Sequence, residues 1–379
     1  MEARRISVVT ESFYPAVDGT TRTVKQVVDR LVDTGHEVQI IAPGPGLSTY
    51  RSSRVARIRP LDKPGRQVAA ALGSFAPDLV HVASPGLLGR KALKHADLQG
   101  RRSIVVQQSP VPPITAEHWL RKVHARADQV LVTCDWMRER LGELGVDAPV
   151  WSPGVDVAAW SPELRDPRLH DAWARRKVEA TPRVVVGYVG SLHKRHGVRR
   201  LAELAALPGI RLVIIGDGPQ RHWLRDRLPS AKFVGAVEPG DLVTAMASLD
   251  VLVHPGAEQT CGHALREAAA SGVPVVGPRA GGALDVVRPL ENGLFFDPAS
   301  ASSFREAVAR LAADRHRSLL GARGRELALT RSWTEAVDEL VDVHYGWSRD
   351  GRCTTSSTTD ARGRHPGGAA RAAKGPHAA

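Results

Sequence analysis

A short unit between residues 251 and 276 constrains the fold of this chain more than any other segment. It contains a hydrophobic strand at 251–253, a loop of small residues, a helix of alanine, leucine and glutamate, and a second hydrophobic strand at 273–276. A helical crossover between two buried strands is typical of a parallel sheet. The loop leads into the helix N-terminus, where unpaired N–H groups and a partial positive charge suit a diphosphate. The unit therefore predicts a parallel sheet that carries an anion-binding loop.

The same alternation of strand and helix runs along most of the chain and predicts two doubly wound parallel sheets. Strands are predicted at 6–9, 37–42, 79–82, 103–106 and 130–133, then at 184–189, 212–215, 232–234, 251–253, 273–276 and, as a short edge strand, 294–296. Proline and glycine interrupt the pattern at 151–162, which indicates a linker. We predict a first domain at 1–151, a linker at 152–163, a second domain at 164–331, a C-terminal helix at 332–347 and a disordered basic tail at 348–379.

Composition narrows the class of protein. The 379 residues are 42% hydrophobic and 5% aromatic, which suits layers packed with valine, leucine and alanine. Apolar runs stay well below the roughly 18 residues of a membrane span. The N-terminus predicts a first strand rather than a signal peptide. Three widely spaced cysteines (Cys134, Cys261 and Cys353) indicate neither a disulfide framework nor a zinc site, so a cytoplasmic location is expected.

The chain carries a net charge of +12. Residues 349–379 hold six Arg or Lys and two Asp, which gives +4 and leaves +8 for the body. No zinc finger, aromatic RNA-binding pattern or basic heptad helix is present, so nucleic-acid binding is not predicted. The basic surface leaves two partners open, an anionic membrane contacted peripherally and a phosphorylated substrate.

The order of residues in the segment 254–285 resembles the donor-site block of the retaining GT-B glycosyltransferases of family 4. It is most similar to the bacterial α-mannosyltransferase branch, whose pattern is Glu-x7-Glu followed by a small-residue helix, Ser-Gly-x-Pro-Val-Val and a Gly-Gly loop. Here Glu267 occupies the second acidic position, Gln259 stands at the first, and Glu258 is one residue out of register. The resemblance implies that Glu267 holds the ribose of a nucleotide sugar. It implies that the diphosphate is held by Thr260, Cys261, Gly262 and His263.

The resemblance extends to the loop after the first strand, where the family has Pro-x-x-Asn-Gly near the donor phosphates and the acceptor. Gly19 matches the glycine and Asp18 replaces the asparagine. Gln108 follows a strand of the first domain, where the mannosyltransferase branch has glutamine near the transferred sugar. Since glutamine cannot act as a base, the leaving phosphate would accept the acceptor's proton. The short match after Gln108 implies an acceptor site that differs from the family's.

A loop of the second domain departs from the family pattern. The family's Gly-Arg-Leu-x-x-Glu-Lys loop places an arginine and a lysine on the diphosphate, and this chain has Ser191, Arg195 and His196 at the Arg, Glu and Lys positions. Arg195 and the neighbouring Lys194 could restore the charge from shifted positions, and His196 could do so when protonated. Asp217, in a Gly-Asp-Gly-Pro turn after a strand, is expected to line the nucleotide pocket.

The resemblance implies transfer of a sugar from a GDP-, UDP- or dTDP-linked donor, with retention of configuration, and no separate cofactor. No Asp-x-Asp pair or metal-binding His pattern occurs, so no metal is predicted. Two acceptors compete: a glycolipid or glycan of the cell envelope, and a small natural product such as an aminocyclitol. The shortened acceptor region after Gln108 and the altered diphosphate loop favour the small natural product. A catalytically impaired GT-B-like binding protein is a hypothesis of another class, favoured by the departures at Ser191, His196 and Gln259. A nicotinamide-dependent oxidoreductase is disfavoured by the missing Gly-x-Gly-x-x-Gly.

Overall fold

The computed structural model describes residues 3–16, 18–174 and 183–346, and these residues form two sheets covered by helices. The tail predicted at 348–379, with Cys353, lies outside the described residues. Elements up to residue 150 are β1 (Arg5–Val9), α1 (Gly19–Asp33), β2 (Glu37–Pro43), β3 (Thr49–Tyr50), β4 (Ser53–Ile58), α2 (Pro64–Phe75), β5 (Leu79–Val82), α3 (Leu87–Leu98), β6 (Arg102–Gln107), α4 (Ala116–Lys122), β7 (Gln129–Val132) and α5 (Asp135–Gly142).

The second set of elements begins after the Pro- and Gly-rich stretch. It comprises α6 (Pro167–Ala174), β8 (Val184–Val189), β9 (Ile210–Ile215), α7 (Arg221–Arg227), β10 (Lys232–Gly235), α8 (Pro239–Ala247), β11 (Val251–Val253), α9 (His263–Ala270), β12 (Val275–Pro278), β13 (Gly293–Phe296), α10 (Ser303–Ala313), α11 (Arg317–Leu329) and α12 (Trp333–Glu339). Short 3-10 turns occupy Lys194–His196 and Gly281–Ala283, among others.

Both sheets are doubly wound. The first has the order β3-β4-β2-β1-β5-β6-β7 and the second the order β10-β9-β8-β11-β12-β13. All described pairings are parallel except that of the two-residue β3 with β4. The strand order reverses between β1 and β5 and again between β8 and β11. At such reversals the loops after neighbouring strands diverge and leave a crevice at the carboxyl edge of the sheet. The predicted architecture of two parallel-sheet domains is confirmed.

The last helix returns to the first sheet. Ala336, Val337 and Leu340 are fully buried in the core beneath β1 and α1. Trp151 donates its indole N–H to the carbonyl oxygen of Ala336 at 2.7 Å, and the Tyr345 hydroxyl lies 3.0 Å from His81 Nδ1. Burial lowers the pKa of His81 to about 4, so its ring is neutral at physiological pH.

The start of α12 is a capping box. The Ser332 hydroxyl accepts from the backbone N–H of Glu335, and the Glu335 carboxylate accepts from the backbone N–H of Ser332. The sequence predicts a C-terminal helix at 332–347. The structure differs, because the α-helix ends at Glu339 and one wider π turn covers Leu340–His344.

Candidate active site

The loop after β1 leads into α1 and faces the second domain. The Asp18 carboxylate accepts from the backbone N–H of Thr21 at 2.8 Å and so caps the helix, a role that asparagine also fills. Gly19 is the first residue of α1, and a Cβ there would lie 3.4 Å from His263 Cδ2 of the other domain. An alanine Cβ would make ordinary van der Waals contact with His263 at that distance, so Gly19 lies directly against the second domain.

The loop before α9 is held by contacts with the first domain. The Thr260 hydroxyl donates to the carbonyl oxygen of Gln108 at 2.5 Å, and Thr133 donates to the carbonyl oxygen of Thr260 at 3.3 Å. The Cys261 thiol lies 4.0 Å from Gln108 Oε1, while Gln108 Nε2 donates to the carbonyl oxygen of Ala83. Gln108 is thus fixed beside the loop that the resemblance assigns to the diphosphate.

The Gly-Gly loop at Gly281 and Gly282 packs directly against the loop before α9. A Cβ on Gly281 would approach the carbonyl oxygen of Ala257 to 2.5 Å, and one on Gly282 would approach that of Thr260 to 2.5 Å. The Gly282 N–H donates to the carbonyl oxygen of Gln259 at 2.7 Å. Gly262 caps α9 in the left-handed conformation, with φ of 61°, which glycine adopts without strain. The loop is therefore shaped by three glycines.

Glu267 is the buried acid of this site. Its Oε1 accepts from Arg22 Nη1 at 2.7 Å, and this ion pair crosses from α9 to α1. Its Oε2 is buried without a hydrogen-bond partner among the described residues, as is Nε2 of Gln259. Burial raises the pKa of Glu267, and the Arg22 cation partly offsets that rise. The site thus holds one unsatisfied acceptor and one unsatisfied donor, and ligand groups could complete both.

His263, the first residue of α9, faces α1. Its Nε2 lies 3.4 Å from the Thr23 hydroxyl. Burial lowers its pKa to about 3, and the nearby Arg22 and Arg266 cations add to the effect. His263 is therefore neutral at physiological pH. Neutral imidazole can donate one hydrogen bond and accept another, but it supplies no charge to a diphosphate.

The loop after β8 carries the substituted positions. Ser191 is exposed, and its carbonyl oxygen accepts from the Tyr188 hydroxyl at 3.0 Å. Arg195 is exposed and donates from Nε to His196 Nε2 at 3.3 Å. Burial lowers the pKa of His196, helped by the positive Arg195 and by His193. The idea that protonated His196 restores the missing charge thus fails near neutral pH, and Lys194 and Arg195 remain as cations of this loop.

Comparison with known proteins identifies the family. The description "Glycosyltransferase Family 4" matches residues 17–159, and "Glycosyl transferases group 1" matches residues 171–327. A GDP-mannose-dependent alpha-mannosyltransferase of Mycolicibacterium smegmatis is 37% identical over 90% of this chain and 96% of that protein. The chain belongs to glycosyltransferase family 4.

Two further similarities bear on this glycosyltransferase. The Anabaena protein HepE, solved with UDP, superposes with a TM-score of 0.73 at 17% identity over 89% of this chain and 98% of that one, which shows the shared GT-B fold. A 2-deoxystreptamine N-acetyl-D-glucosaminyltransferase of Streptomyces fradiae is 30% identical, over only 43% of this chain and 42% of that protein. The chain is therefore a transferase with two Rossmann-like domains, and the fuller similarity is to the mannosyltransferase.

Asp217 of the glycosyltransferase is turned toward its own loop. Its carboxylate accepts from the Gly218 N–H at 2.7 Å and forms an ion pair with Arg221. The hydrogen bond from Gly218 is the main cause of its lowered pKa. The Asp217 carbonyl oxygen accepts from the Leu192 N–H at 2.9 Å. This bond joins the loop after β9 to the loop after β8.

The structure thus gathers the predicted residues into two groups. One group lies where α1, the end of β6 and the start of α9 meet and comprises Gly19, Gln108, Gln259, Thr260, Cys261, Gly262, His263 and Glu267. The other lies on the loops after β8 and β9 and comprises Ser191, Arg195, His196 and Asp217. The backbone links them, since a Cβ on Gly256 of the α9 loop would lie 3.0 Å from the His196 carbonyl oxygen.

Sequence reasoning missed Arg22, which makes the charged contact across the cleft. Its signal was a lone arginine in the first turn of the helix that begins at Gly19, and nothing in the sequence distinguishes it from a solvated residue.

Across the described ranges no group of three or more His, Cys, Asp or Glu is placed to hold a metal. No helix in the same ranges is both long enough and apolar enough to cross a bilayer.

Proposed function

We propose that this glycosyltransferase moves mannose from GDP-mannose to a hydroxyl group of an acceptor, with retention of configuration. The similarity to GDP-mannose-dependent relatives along nearly the whole chain supports the donor. The observation that carries the proposal is that two buried atoms, Glu267 Oε2 and Gln259 Nε2, have no hydrogen-bond partner in the described part of the chain. A ribose or hexose hydroxyl donating to Glu267, and a sugar or phosphate oxygen accepting from Gln259, would satisfy both.

The transfer itself requires little acid–base chemistry from the protein. The acceptor oxygen bonds to the anomeric carbon as the bond from that carbon to the β-phosphate oxygen breaks. The acceptor's proton passes to the departing phosphate, so the products are GDP and the mannoside. Attack from the face that the phosphate leaves gives retention. The N–H groups at the start of α9 and the cations Lys194 and Arg195 stabilise charge that develops on the phosphate.

The acceptor belongs to the first domain, beside Gly19 and Gln108. Because the mannosyltransferase relatives match over most of the chain and the aminocyclitol-modifying relative over less than half, we propose a glycolipid or cell-envelope glycan ahead of an aminocyclitol. The basic body suits a glycolipid in an anionic membrane, contacted peripherally. Transfer assays with lipid extracts and with aminocyclitols decide between these acceptors.

Calorimetric titration with GDP, UDP and dTDP tests the donor. We expect GDP to bind most tightly and Glu267→Ala to lose at least about tenfold in affinity, the value of a charge-assisted hydrogen bond. Glu258→Ala is the matched control, since Glu258 is exposed and one residue outside the family register. Preference for UDP or dTDP, or equal losses in both variants, would contradict the assignment.

A second candidate is a nucleotide-sugar-binding protein without turnover. The neutral, partly buried His196 and the uncharged Ser191 favour it, because both positions that the family uses as cations carry no charge here. The discriminating result is GDP binding, lost in Glu267→Ala, together with no mannose transfer or GDP-mannose hydrolysis. Turnover that exceeds that of Glu267→Ala excludes this candidate.

A further inference from the structure

A cavity lies on the hinge side of the molecule, and none of the residues placed in the donor site above lines it. Its volume is about 220 Å³, and it opens between the two chain crossings that join the domains. Ser152 lies in the outgoing linker, and Arg331 lies in the segment that returns to the first domain before α12. The two crossings are held together, because Arg331 donates from Nε and Nη2 to the Ser152 carbonyl oxygen at 3.1 and 2.7 Å.

The wall of this cavity is cationic. Arg266, Arg288 and Arg331 line it, and Asp285 is the one acidic residue that the described part of the chain contributes to its lining. Arg331 is already neutralised by an ion pair with Glu339. Asp285 accepts from the Asp135 backbone N–H at 3.2 Å. The described residues therefore leave the cavity with two arginines and a single shared carboxylate.

Arg266 is the lining residue that indicates an anionic ligand. Its Nε donates to the Cys261 carbonyl oxygen at 3.1 Å, and no carboxylate of the described residues lies within 4.0 Å of its guanidinium. Burial is the main cause of its lowered pKa, and the charge of Asp285 offsets that only from a distance. A half-buried guanidinium without a close counter-ion is costly, and it is stabilised when an oxyanion occupies its terminal nitrogens.

Arg288 stands at the rim. Its side chain is exposed and makes no hydrogen bond or ion pair with any residue in the described part of the chain. Ala269 of α9 and Leu327 of α11 also line the cavity, together with the polar residues Ser152, Asn292 and Thr330. A cavity lined by the half-buried Arg266, by the exposed Arg288 and by apolar side chains fits a phosphate that carries a small organic group.

We infer that the hinge cavity is a second ligand site, specific for a phosphate dianion held between Arg266 and Arg288. The ligand would contact both chain crossings and the buried side of α9. Its binding therefore favours one relative orientation of the domains and acts on the site at the other side of α9. The phosphate can be inorganic phosphate or a small phosphate ester, since both present the same oxyanion.

Binding of inorganic phosphate and of glycerol 3-phosphate to the full chain tests this inference. Thermal shift and calorimetry would be measured against chloride at equal ionic strength. We expect at least one of the two ligands to bind, and Arg266→Gln and Arg288→Gln each to weaken binding by about tenfold or more. Arg310→Gln, which removes an exposed arginine of α10 outside the cavity, should bind like the original chain.

Arg195→Gln separates this site from the donor site. Phosphate that binds the hinge is insensitive to Arg195→Gln, whereas phosphate on the donor loops is weakened by it and not by Arg288→Gln. Because Arg288 is exposed, its variant tests the inference even if Arg266→Gln fails to fold. The inference is overturned if neither ligand binds, or if Arg288→Gln binds phosphate unchanged.

Discussion

The ion pair between Arg22 and Glu267 predicts a measurable loss of stability when its cation is removed. In Arg22→Gln the Glu267 carboxylate, whose side chain is 9% exposed, loses its ion-pair partner. Removing one member of a buried pair costs about 3–5 kcal/mol. The Arg22 side chain is 40% exposed, so screening by water reduces the expected cost to about 1–2 kcal/mol.

The assay is urea unfolding of Arg22→Gln, Glu267→Gln and the double variant at pH 7. Glu267→Gln should be near neutral, because it removes a buried charge and leaves Arg22 free to reach solvent. Lys25→Gln is the control, since Lys25 pairs with Asp29 on the same helix at 2.7 Å and should cost about 0.3–0.5 kcal/mol. The reasoning is refuted if Arg22→Gln loses no more stability than Lys25→Gln. It is also refuted if Arg22→Gln costs as much stability in the presence of Glu267→Gln as it does alone.

The same variant has a characteristic pH dependence. Arg22 lowers the pKa of Glu267, so Arg22→Gln raises that pKa further above its ordinary value of 4.5. A carboxyl group whose pKa is raised on folding destabilises the folded state once the pH exceeds the unfolded value. The loss of unfolding free energy in Arg22→Gln, relative to the original chain, is therefore largest near pH 8 and shrinks as the pH falls toward 4.5. A loss that grows on acidification would contradict the assignment of the buried charge to Glu267.

The remaining predictions concern the substituted loop and the returning helix. His196→Lys places a permanent cation at the loop and should raise GDP affinity at pH 8 by about tenfold in calorimetry, whereas His196→Gln should not. Tyr345→Ala should cost about 3–5 kcal/mol in urea unfolding, and Tyr345→Phe about 1 kcal/mol for the lost hydrogen bond to His81. Since the pKa of His81 is lowered to about 4, stability should fall as the pH drops from 6.5 through 4. His81→Gln should lower the number of protons taken up on unfolding by about one in this pH range. An unchanged slope of unfolding free energy against pH would contradict this prediction.

The sequence predicted the buried parallel strands well, because valine and isoleucine at consecutive positions have few alternatives to a sheet covered on both faces. It missed β4, where arginines at 54 and 57 interrupt the apolar run. It missed α2, which contains two glycines and buries only Val68 and Leu72. These elements lie near the edge of the first sheet, where a partly solvated strand or helix needs fewer apolar residues and gives a weaker pattern.

The candidate site was predictable where one loop carries it and not where two domains share it. The segment from Thr260 to Glu267 is contiguous, so its residues share a loop and one helix whatever the rest of the chain does. Arg22 and Glu267 are 245 residues apart, and only the docking of α1 against α9 brings them together. Likewise the pKa of His196 depends on its burial and its neighbours, which its position in the sequence does not reveal.

The contacts across the cleft have a consequence for how a donor enters. Glu267 Oε1 is held by Arg22, and the Thr260 hydroxyl is held by the carbonyl oxygen of Gln108. These are groups that the resemblance assigns to the nucleotide sugar, so a ligand has to share or replace interdomain hydrogen bonds as it binds. Because the second oxygen of Glu267 has no partner within residues 3–16, 18–174 and 183–346, it can accept from a ribose hydroxyl while Arg22 remains in place. Arg22 would then lie beside the donor as a cation supplied by the first domain, in a site whose second domain lacks charge at Ser191 and His196.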